Sequence, residues 1–210
     1  MNPVDITLYL VTNSDGYSDD EFLKIIAAAC EGGVTLVQLR EKTRTGREYY
    51  NLAVKVKSVT DRFGIQLIID DRVDIALSCD AAGVHLGQED LPIAAARAIL
   101  GAYKIIGATA KTVQQAICAE ADGADYLGTG AIYPTTTKVK TVITPVETLN
   151  EIAKTVKIPV VAIGGLNATN LDVLYGSGAS GIAVVTAIMQ SDDPKNAAAK
   201  LRKLTEDNIL

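Results

Sequence analysis

The sequence contains few of the side chains that most often carry recognisable chemistry. Its 210 residues include a single histidine, three cysteines and no tryptophan. The cysteines Cys30, Cys79 and Cys118 are widely spaced and form no Cys-x-x-Cys pair, so the sequence indicates neither a disulfide framework nor a thiolate zinc site. We therefore expect the protein to lie in a reducing compartment, the cytoplasm. We expect no catalysis through a thiol, and a catalytic relay that contains a histidine would have to use His85.

Long apolar runs and clusters of positive charge are also missing. No apolar stretch approaches the ~20 residues that a membrane span requires, and the short run Ile6–Val11 follows Asp5, which does not fit a signal peptide. The formal net charge is −5, whereas a surface that binds duplex nucleic acid needs clustered lysine and arginine. We expect one domain over residues 1–210 that binds small molecules and neither nucleic acid nor a membrane. Both a monomer and a homo-oligomer are compatible with the sequence.

The sequence does contain a regular alternation of short β-branched runs and longer helical patterns, which is typical of a parallel sheet covered by helices. Strands are predicted at Ile6–Val11, Val34–Leu39, Gln66–Ile69, Gly83–Leu86, Lys104–Thr109, Asp125–Gly128, Pro159–Ile163 and Gly181–Val185. Helices are predicted near residues 19–30, 47–62, 72–78, 92–100, 112–121, 146–156, 168–175 and 187–204.

A weak internal repeat favours closing this α/β pattern into a barrel. A glycine that ends a helix precedes an aliphatic strand at Gly33, Gly83, Gly123 and Gly178, that is, in every second βα unit. Because alternate strands fill alternate core layers of a (β/α)₈ barrel, this recurrence predicts a TIM barrel. The competing doubly wound open sheet lacks its Gly-x-Gly-x-x-Gly turn after the first strand.

Basic side chains follow the second strand, at the rim where barrel active sites are built. Alternation places Gln38, Arg40 and Lys42 on one side of the extended chain. Arginine can grip two oxygens while lysine supplies a point charge, so the three suit a diphosphate or a carboxylate. The alternative is a charged loop that only faces solvent.

Carboxylates follow the third and fourth strands. Asp70 and Asp71 end the third strand, and Asp90 comes shortly after the fourth. Asp71 and Asp90 together would hold Mg²⁺, with water and substrate phosphates as the remaining ligands; the alternative is that both cap helices. His85, on the fourth strand, either acts in catalysis or lines the barrel interior.

The run from Gly128 to Lys138 has the composition of an anion site. It combines glycines, the hydroxyls of Thr135, Thr136 and Thr137 and the charge of Lys138, all of which suit phosphate oxygens. A plain surface loop is the alternative.

A second anion site is predicted after the last two strands. Gly164-Gly165 and Thr186 occupy the positions at which barrels often bind a phosphate through backbone N–H groups. The alternative for Thr186 is that it caps the last helix.

Six motifs also occur in a characteristic order: Gln-Leu-Arg-Glu-Lys at 38–42, Asp-Asp-Arg-Val-Asp at 70–74, Gly-Val-His-Leu-Gly-Gln-Glu-Asp at 83–90, Thr-Thr-Thr-Lys at 135–138, Val-Ala-Ile-Gly-Gly at 161–165 and Ala-Val-Val-Thr at 183–186. Each is modest alone, but the ordered set is specific. Together they resemble the thiamine-phosphate synthase family. Asp70 stands where that family typically has asparagine, and Thr109 where serine is commoner.

The resemblance implies a (β/α)₈ barrel that transfers 4-amino-5-hydroxymethyl-2-methylpyrimidine from its diphosphate to 4-methyl-5-(2-hydroxyethyl)thiazole phosphate or its carboxylated form. Diphosphate leaves first, with help from Mg²⁺, and the thiazole nitrogen then captures the cation. It implies that Asp71 and Asp90 bind Mg²⁺ and that the catalytic residues are Arg40, Lys42, Lys138 and Thr109. The substrate-binding residues that it implies are Gln38, Arg40, Lys42, Asp70, Thr109, Thr135, Thr137, Lys138, Gly165, Val185 and Thr186.

Two other functions stay open at this point. A thiazole tautomerase of the same superfamily would need only the second anion site and an acid–base group, and the presence of Lys42, Asp71, Asp90 and Lys138 argues against it, because tautomerisation has no leaving diphosphate. A non-catalytic thiamine-phosphate-binding protein is the alternative from another class.

Overall fold

Eight parallel strands pair in sequence order and close into a barrel, with the first strand beside the last. The computed structural model describes residues 4–135 and 142–210. The strands are Leu8–Val11 (β1), Leu36–Leu39 (β2), Gln66–Asp70 (β3), Gly83–Leu86 (β4), Ile105–Thr109 (β5), Tyr126–Gly130 (β6), Val160–Ile163 (β7) and Gly181–Val184 (β8). Every predicted strand is present with its ends within two residues of those predicted, and the (β/α)₈ fold is confirmed.

Helices cover the outside of the barrel. They are Asp19–Glu31 (α1), Gly46–Arg62 (α2), Val73–Ser78 (α3), Ile93–Leu100 (α4), Val113–Ala121 (α5), Val146–Thr155 (α6), Thr186–Met189 (α7) and Pro194–Asn208 (α8). Within residues 4–135 and 142–210, none of the helices is long and apolar enough to cross a membrane.

The helix predicted near residues 168–175 is wrong, because only one 3₁₀ turn, Leu171–Leu174, forms there. Side chains just before it satisfy the backbone locally: Asn167 Oδ1 accepts from the Thr169 backbone N–H at 2.9 Å, and Asn170 Oδ1 accepts from the Asn167 N–H at 2.8 Å. Such turns compete with a regular helix for the same backbone groups.

The single helix predicted at 187–204 is also wrong, since two helices, α7 and α8, occupy this part of the chain. Pro194 lacks a backbone N–H and fits the first turn of a helix better than its interior. Asp193 caps α8, with its Oδ1 accepting from the Asn196 backbone N–H at 3.0 Å.

Two capping boxes hold the loops that leave β1 and β2. Ser18 caps α1 and Thr45 caps α2, and in each helix a glutamate three residues later accepts from the backbone N–H of the cap, Glu21 at 2.9 Å and Glu48 at 2.8 Å. Both helices therefore begin at fixed points beside the C-terminal rim of the barrel.

The apolar core has two parts because successive strand residues point to opposite faces. The larger part lies between the strands and the helices. The smaller part fills the barrel and consists of Ile6, Tyr9, Val11, Leu36, Ile68, Ile105, Tyr126, Val161 and Ala183.

Candidate active site

Charged side chains of both signs meet at the C-terminal mouth of the barrel. Lys42 Nζ lies 2.6 Å from Asp70 Oδ2 and is also in direct contact with Asp71 Oδ2. Arg40 Nε lies 3.7 Å from the same Asp70 oxygen. The Arg40 side chain is only 19% exposed, so this segment is not merely a solvated loop, and the structure brings together the basic and acidic residues predicted at this rim.

Burial and opposite charges shift the ionisation of this cluster. Burial, followed by repulsion from Asp71, raises the pKa of Asp70 to about 6, although the nearby Lys42 and Arg40 oppose the shift. Burial alone would lower the pKa of Lys42, but attraction to Asp70 and hydrogen bonds to both aspartates outweigh it, so this pKa is raised. Lys42 is therefore held as a cation.

Asp71 and Asp90 face each other across the ends of β3 and β4. Burial is the main cause of the raised pKa of Asp90, and hydrogen bonding to Asp71 and repulsion from it add to the shift. The Gly87 backbone N–H opposes the shift by donating to Asp90 Oδ2 at 2.6 Å. Asp71 has φ +60°, and its own N–H donates to the His85 carbonyl at 2.9 Å.

The alternative that these two aspartates cap helices is wrong. Arg72 is the N-cap residue of α3 and Pro92 that of α4, and neither helix has a side-chain cap. Within residues 4–135 and 142–210, no group of three or more His, Cys, Asp or Glu side chains forms a metal site. Mg²⁺, however, is commonly held by one or two carboxylates with water and phosphate oxygens, and the facing Asp71 and Asp90 fit that pattern.

A chain of hydrogen bonds crosses the barrel interior below this cluster. Gln38 Nε2 donates to the Tyr9 hydroxyl at 2.6 Å, and that hydroxyl is 2.7 Å from the Tyr126 hydroxyl. Tyr126 is 3.1 Å from His85 Nδ1, and His85 Nε2 is 3.0 Å from Thr109 Oγ1. His85 therefore lines the barrel interior, as one of its two interpretations predicted, and Gln38 and Thr109 form the two ends of the chain.

The predicted second anion site lies where β7 and β8 end. Gly164 and Gly165 have φ of +107° and +65°, which glycine adopts readily. A Cβ on Gly165 would lie 2.6 Å from Tyr133 Cβ and 2.8 Å from the Pro134 carbonyl oxygen. Glycine therefore lets this loop approach the segment that follows β6.

The alternative that Thr186 caps the last helix is wrong, since Val185 is the N-cap residue and Thr186 is the first residue of α7. Thr135 is half-buried just after β6. The predicted site residues Thr137 and Lys138, together with Thr136, lie outside the described residues.

Comparison with known proteins identifies the family. The family model for thiamine monophosphate synthase matches residues 8–188. The chain is 53% identical to "Thiamine-phosphate synthase 2" of Streptococcus pneumoniae serotype 4 over 211 residues, which cover 100% of both chains. It is 52% identical to "Thiamine-phosphate synthase" of Enterococcus faecalis over 96% of this chain and 95% of that protein.

The chain belongs to the thiamine-phosphate synthase family. Its activity is accordingly thiamine-phosphate synthesis, which is a transferase reaction. A solved structure entitled thiamine phosphate pyrophosphorylase, from Pyrococcus furiosus, superposes with a TM-score of 0.87 and 38% identity over 97% of each chain.

Sequence reasoning missed three residues near the synthase site, the first two of which are Tyr9 and Tyr126. The hydroxyls of Tyr9 and Tyr126 join side chains that come from separate strands. A tyrosine within the otherwise aliphatic run 8–11 was the available signal, because a buried hydroxyl needs a partner.

The other missed residue is Glu41, which lies between Arg40 and Lys42 and is buried against Ser14 and Arg44. Its side chain is 3% exposed, and its Oε2 accepts from Ser14 Oγ at 2.9 Å and lies 3.2 Å from Arg44 Nε. Burial raises the pKa of Glu41. Glu41 fastens the loop that carries Arg40 and Lys42 to the segment after β1.

Proposed function

We propose that the mouth of this barrel binds the diphosphate of 4-amino-5-hydroxymethyl-2-methylpyrimidine diphosphate and transfers its pyrimidylmethyl group to a thiazole phosphate. The observation that carries this proposal is the convergence of Arg40 and Lys42 with Asp71 and Asp90 at one rim. Two cations beside a pair of facing carboxylates suit a diphosphate that binds together with a divalent cation.

The basic side chains stabilise the charge that develops on the leaving diphosphate. Arg40 and Lys42 come from one short loop, and Lys42 is partly exposed, with 44% of its side chain accessible, so it can turn from the aspartates toward a phosphate oxygen. Lys138 has the same proposed role. Fixed positive charge aimed at a developing anion lowers the barrier most when the site is organised in advance.

Asp71 and Asp90 would hold Mg²⁺. When bound, this ion supplies positive charge that neutralises a diphosphate leaving group. Two carboxylates close together and partly buried repel each other, so a divalent cation between them removes an unfavourable interaction.

The reaction needs no nucleophile from the protein, because the thiazole nitrogen forms the new bond. This agrees with the positions of the cysteines, which lie in or at the end of the outer helices, Cys30 in α1, Cys79 at the C-cap of α3 and Cys118 in α5. The protein's contribution is to align the two substrates and to exclude competing orientations.

The pyrimidine ring is assigned to Gln38 and Thr109, and the thiazole phosphate to the backbone of Gly165, Val185 and Thr186. The positive φ values of Gly164 and Gly165 support the second assignment, because backbone N–H groups in such turns form concave anion sites. Thr135 and Thr137 would donate to phosphate oxygens from the neighbouring loop. Tautomerase chemistry is not favoured, since it would leave the carboxylate pair without a role.

A cytoplasmic location is part of the proposal and is supported by the three free thiols. The oligomeric state stays a prediction.

The test measures thiamine phosphate by mass spectrometry as Mg²⁺ is varied. We expect Asp71→Asn to raise the Mg²⁺ concentration for half-maximal rate by about tenfold or more, because it removes one charged ligand. Asp74→Asn is the matched control, since Asp74 lies three residues further on, is exposed and pairs with Arg72 at 2.5 Å. An unchanged Mg²⁺ dependence in Asp71→Asn, or an equal change in Asp74→Asn, would contradict the metal assignment, and no product from folded wild-type protein would contradict the function.

A further inference from the structure

Two tyrosine hydroxyls lie inside a barrel whose other apolar core side chains are aliphatic. Tyr9 is 1% exposed and Tyr126 is fully buried, and burial raises the pKa of both phenols well above the ordinary value. Their rings meet edge to face with centroids 5.8 Å apart. Buried hydroxyls must find partners within the protein, and each of these finds the other at 2.7 Å.

Two glycines, one on β5 and one on β6, leave space for the Tyr126 phenol and the His85 imidazole. A Cβ on Gly107 would lie 2.1 Å from Tyr126 Cζ and 2.3 Å from its hydroxyl oxygen. A Cβ on Gly128 would lie 3.2 Å from His85 Cε1. The barrel therefore has glycine, without a side chain, at the two positions that contact the Tyr126 phenol and the His85 imidazole.

With each hydroxyl donating one hydrogen bond and His85 neutral, the hydrogen bonds that link these side chains all run in one direction. Gln38 Nε2 is only a donor, so the Tyr9 oxygen accepts from it and the Tyr9 proton goes to Tyr126. Tyr126 then donates to His85 Nδ1, which leaves the His85 proton on Nε2. That proton is donated to Thr109 Oγ1, so the proton of Thr109 is directed to a further acceptor. If the Gln38 amide were turned over, every bond in the chain would reverse.

The two ends of the chain therefore offer opposite hydrogen-bonding groups. Gln38 keeps its carbonyl oxygen as an acceptor, beside the second N–H of its amide, and Thr109 is left with a hydroxyl proton as a donor. An aminopyrimidine presents the complementary pair, since its exocyclic amino group donates and its ring nitrogen accepts. Reversal of all these hydrogen bonds would exchange the donor and the acceptor between the two ends, which would then mismatch a ring held in the same orientation.

We infer that Tyr9 and Tyr126 are positioning residues whose hydroxyls fix the amide orientation of Gln38 and the tautomer of His85, so that the mouth matches an aminopyrimidine ring. This inference rests on the proposed function, because it takes the ring to bind between Gln38 and Thr109. Neither tyrosine touches the diphosphate cluster formed by Arg40 and Lys42 in the contacts described above. The tyrosines therefore set recognition of the ring and not of the anion.

The test compares two ligands on Tyr126→Phe and Tyr9→Phe, which keep the rings and remove only the hydroxyls. The ligands are 4-amino-5-hydroxymethyl-2-methylpyrimidine diphosphate and inorganic diphosphate, each titrated calorimetrically with Mg²⁺ present. We expect each variant to bind the pyrimidine diphosphate about tenfold more weakly, because the broken chain leaves buried groups unpaired and Gln38 free to turn. Binding of inorganic diphosphate and the KM for thiazole phosphate should stay at the wild-type values.

Tyr49→Phe is the matched control. Tyr49 is also 1% exposed, and its hydroxyl donates to the backbone carbonyls of Leu39 at 2.7 Å and Asp70 at 3.2 Å, outside the interior chain. We expect Tyr49→Phe to lower the unfolding temperature without changing the ratio of the two dissociation constants. The inference is overturned if the Tyr126 and Tyr9 variants weaken both ligands equally, if they leave pyrimidine binding unchanged, or if Tyr49→Phe gives the same ratio.

A ligand change on wild-type protein gives an independent measurement if a tyrosine variant does not fold. The same diphosphate without the 4-amino group should bind wild-type protein about tenfold more weakly, and this preference should disappear in whichever of Tyr9→Phe and Tyr126→Phe folds. Equal binding of the two pyrimidines by wild-type protein would overturn the inference. If wild-type protein bound both pyrimidines equally but still made thiamine phosphate, the inference would fail and the proposed function would stand.

Discussion

Gly107→Ala tests whether the barrel interior was built around the Tyr126 phenol. Gly107 lies on β5 directly opposite Tyr126 on β6. An added methyl group would start 2.1 Å from Tyr126 Cζ, whereas carbon atoms in contact prefer separations of about 3.5–4.0 Å. The phenol would have to retreat by about 1.4 Å, and it is fully buried against Tyr9 and His85.

The expected cost follows from these contacts. Overfilling a packed core typically costs about 1–3 kcal/mol, and displacing the phenol also breaks at least one buried hydrogen bond worth about 1 kcal/mol. The lower entropy of alanine in the unfolded chain offsets about 0.4–1 kcal/mol. We expect Gly107→Ala to lower the free energy of unfolding by about 2–3 kcal/mol, measured from urea denaturation midpoints at unchanged m-value.

A double-mutant cycle with Tyr126→Leu identifies the clash as the cause. Leucine has no atoms where the phenol ring ends, so the alanine methyl group at position 107 should then fill vacated space. In that background Gly107→Ala should cost less than about 0.5 kcal/mol, which corresponds to a coupling of about 2 kcal/mol between the two positions. The same cost in both backgrounds would refute the packing argument and leave backbone strain in β5 as the cause.

Two further predictions concern buried polar atoms and thiols. Thr129 is fully buried on β6, and its Oγ1 has no hydrogen-bond partner within residues 4–135 and 142–210. Thr129→Val should therefore raise the free energy of unfolding, measured by urea denaturation, by about 1 kcal/mol. A decrease of that size would mean that the hydroxyl is paired. Ellman's reagent should rapidly modify only one of the three thiols in the folded protein, the exposed Cys118. The other two should react slowly, because burial raises the pKa of Cys30 to about 12 and also raises the pKa of Cys79. Rapid reaction of all three thiols before denaturation would contradict the burial of Cys30 and Cys79.

The sequence predicted the strands well because their pattern is local. Eight short β-branched runs alternate with helical patterns, and a buried parallel strand is recognisable from its own composition. The predicted helices were wrong where side-chain turns or a proline compete with the helix, at 168–175 and in the segment around Pro194. Such competition depends on only a few hydrogen bonds, which periodicity does not register.

The candidate site was predictable as a set of residues but not as an arrangement. Arg40, Lys42 and Asp70 could be assigned to the mouth because each follows a strand at its C-terminal end. That Asp71 faces Asp90 and does not cap a helix follows from its left-handed backbone and from the hydrogen bond between its N–H and the His85 carbonyl. That hydrogen bond needs β4 to lie beside β3.

The sequence by itself determined the class of fold, the order of the rim residues and the family, because all three are written in short stretches of neighbouring residues. Tertiary structure decided which polar groups meet inside the barrel. Tyr9 and Tyr126 are 117 residues apart, and their hydroxyls meet only because closing the sheet sets the register of every strand and leaves Gly107 under the phenol. A contact of this kind depends on the separation of atoms across the barrel, and no local pattern encodes that distance.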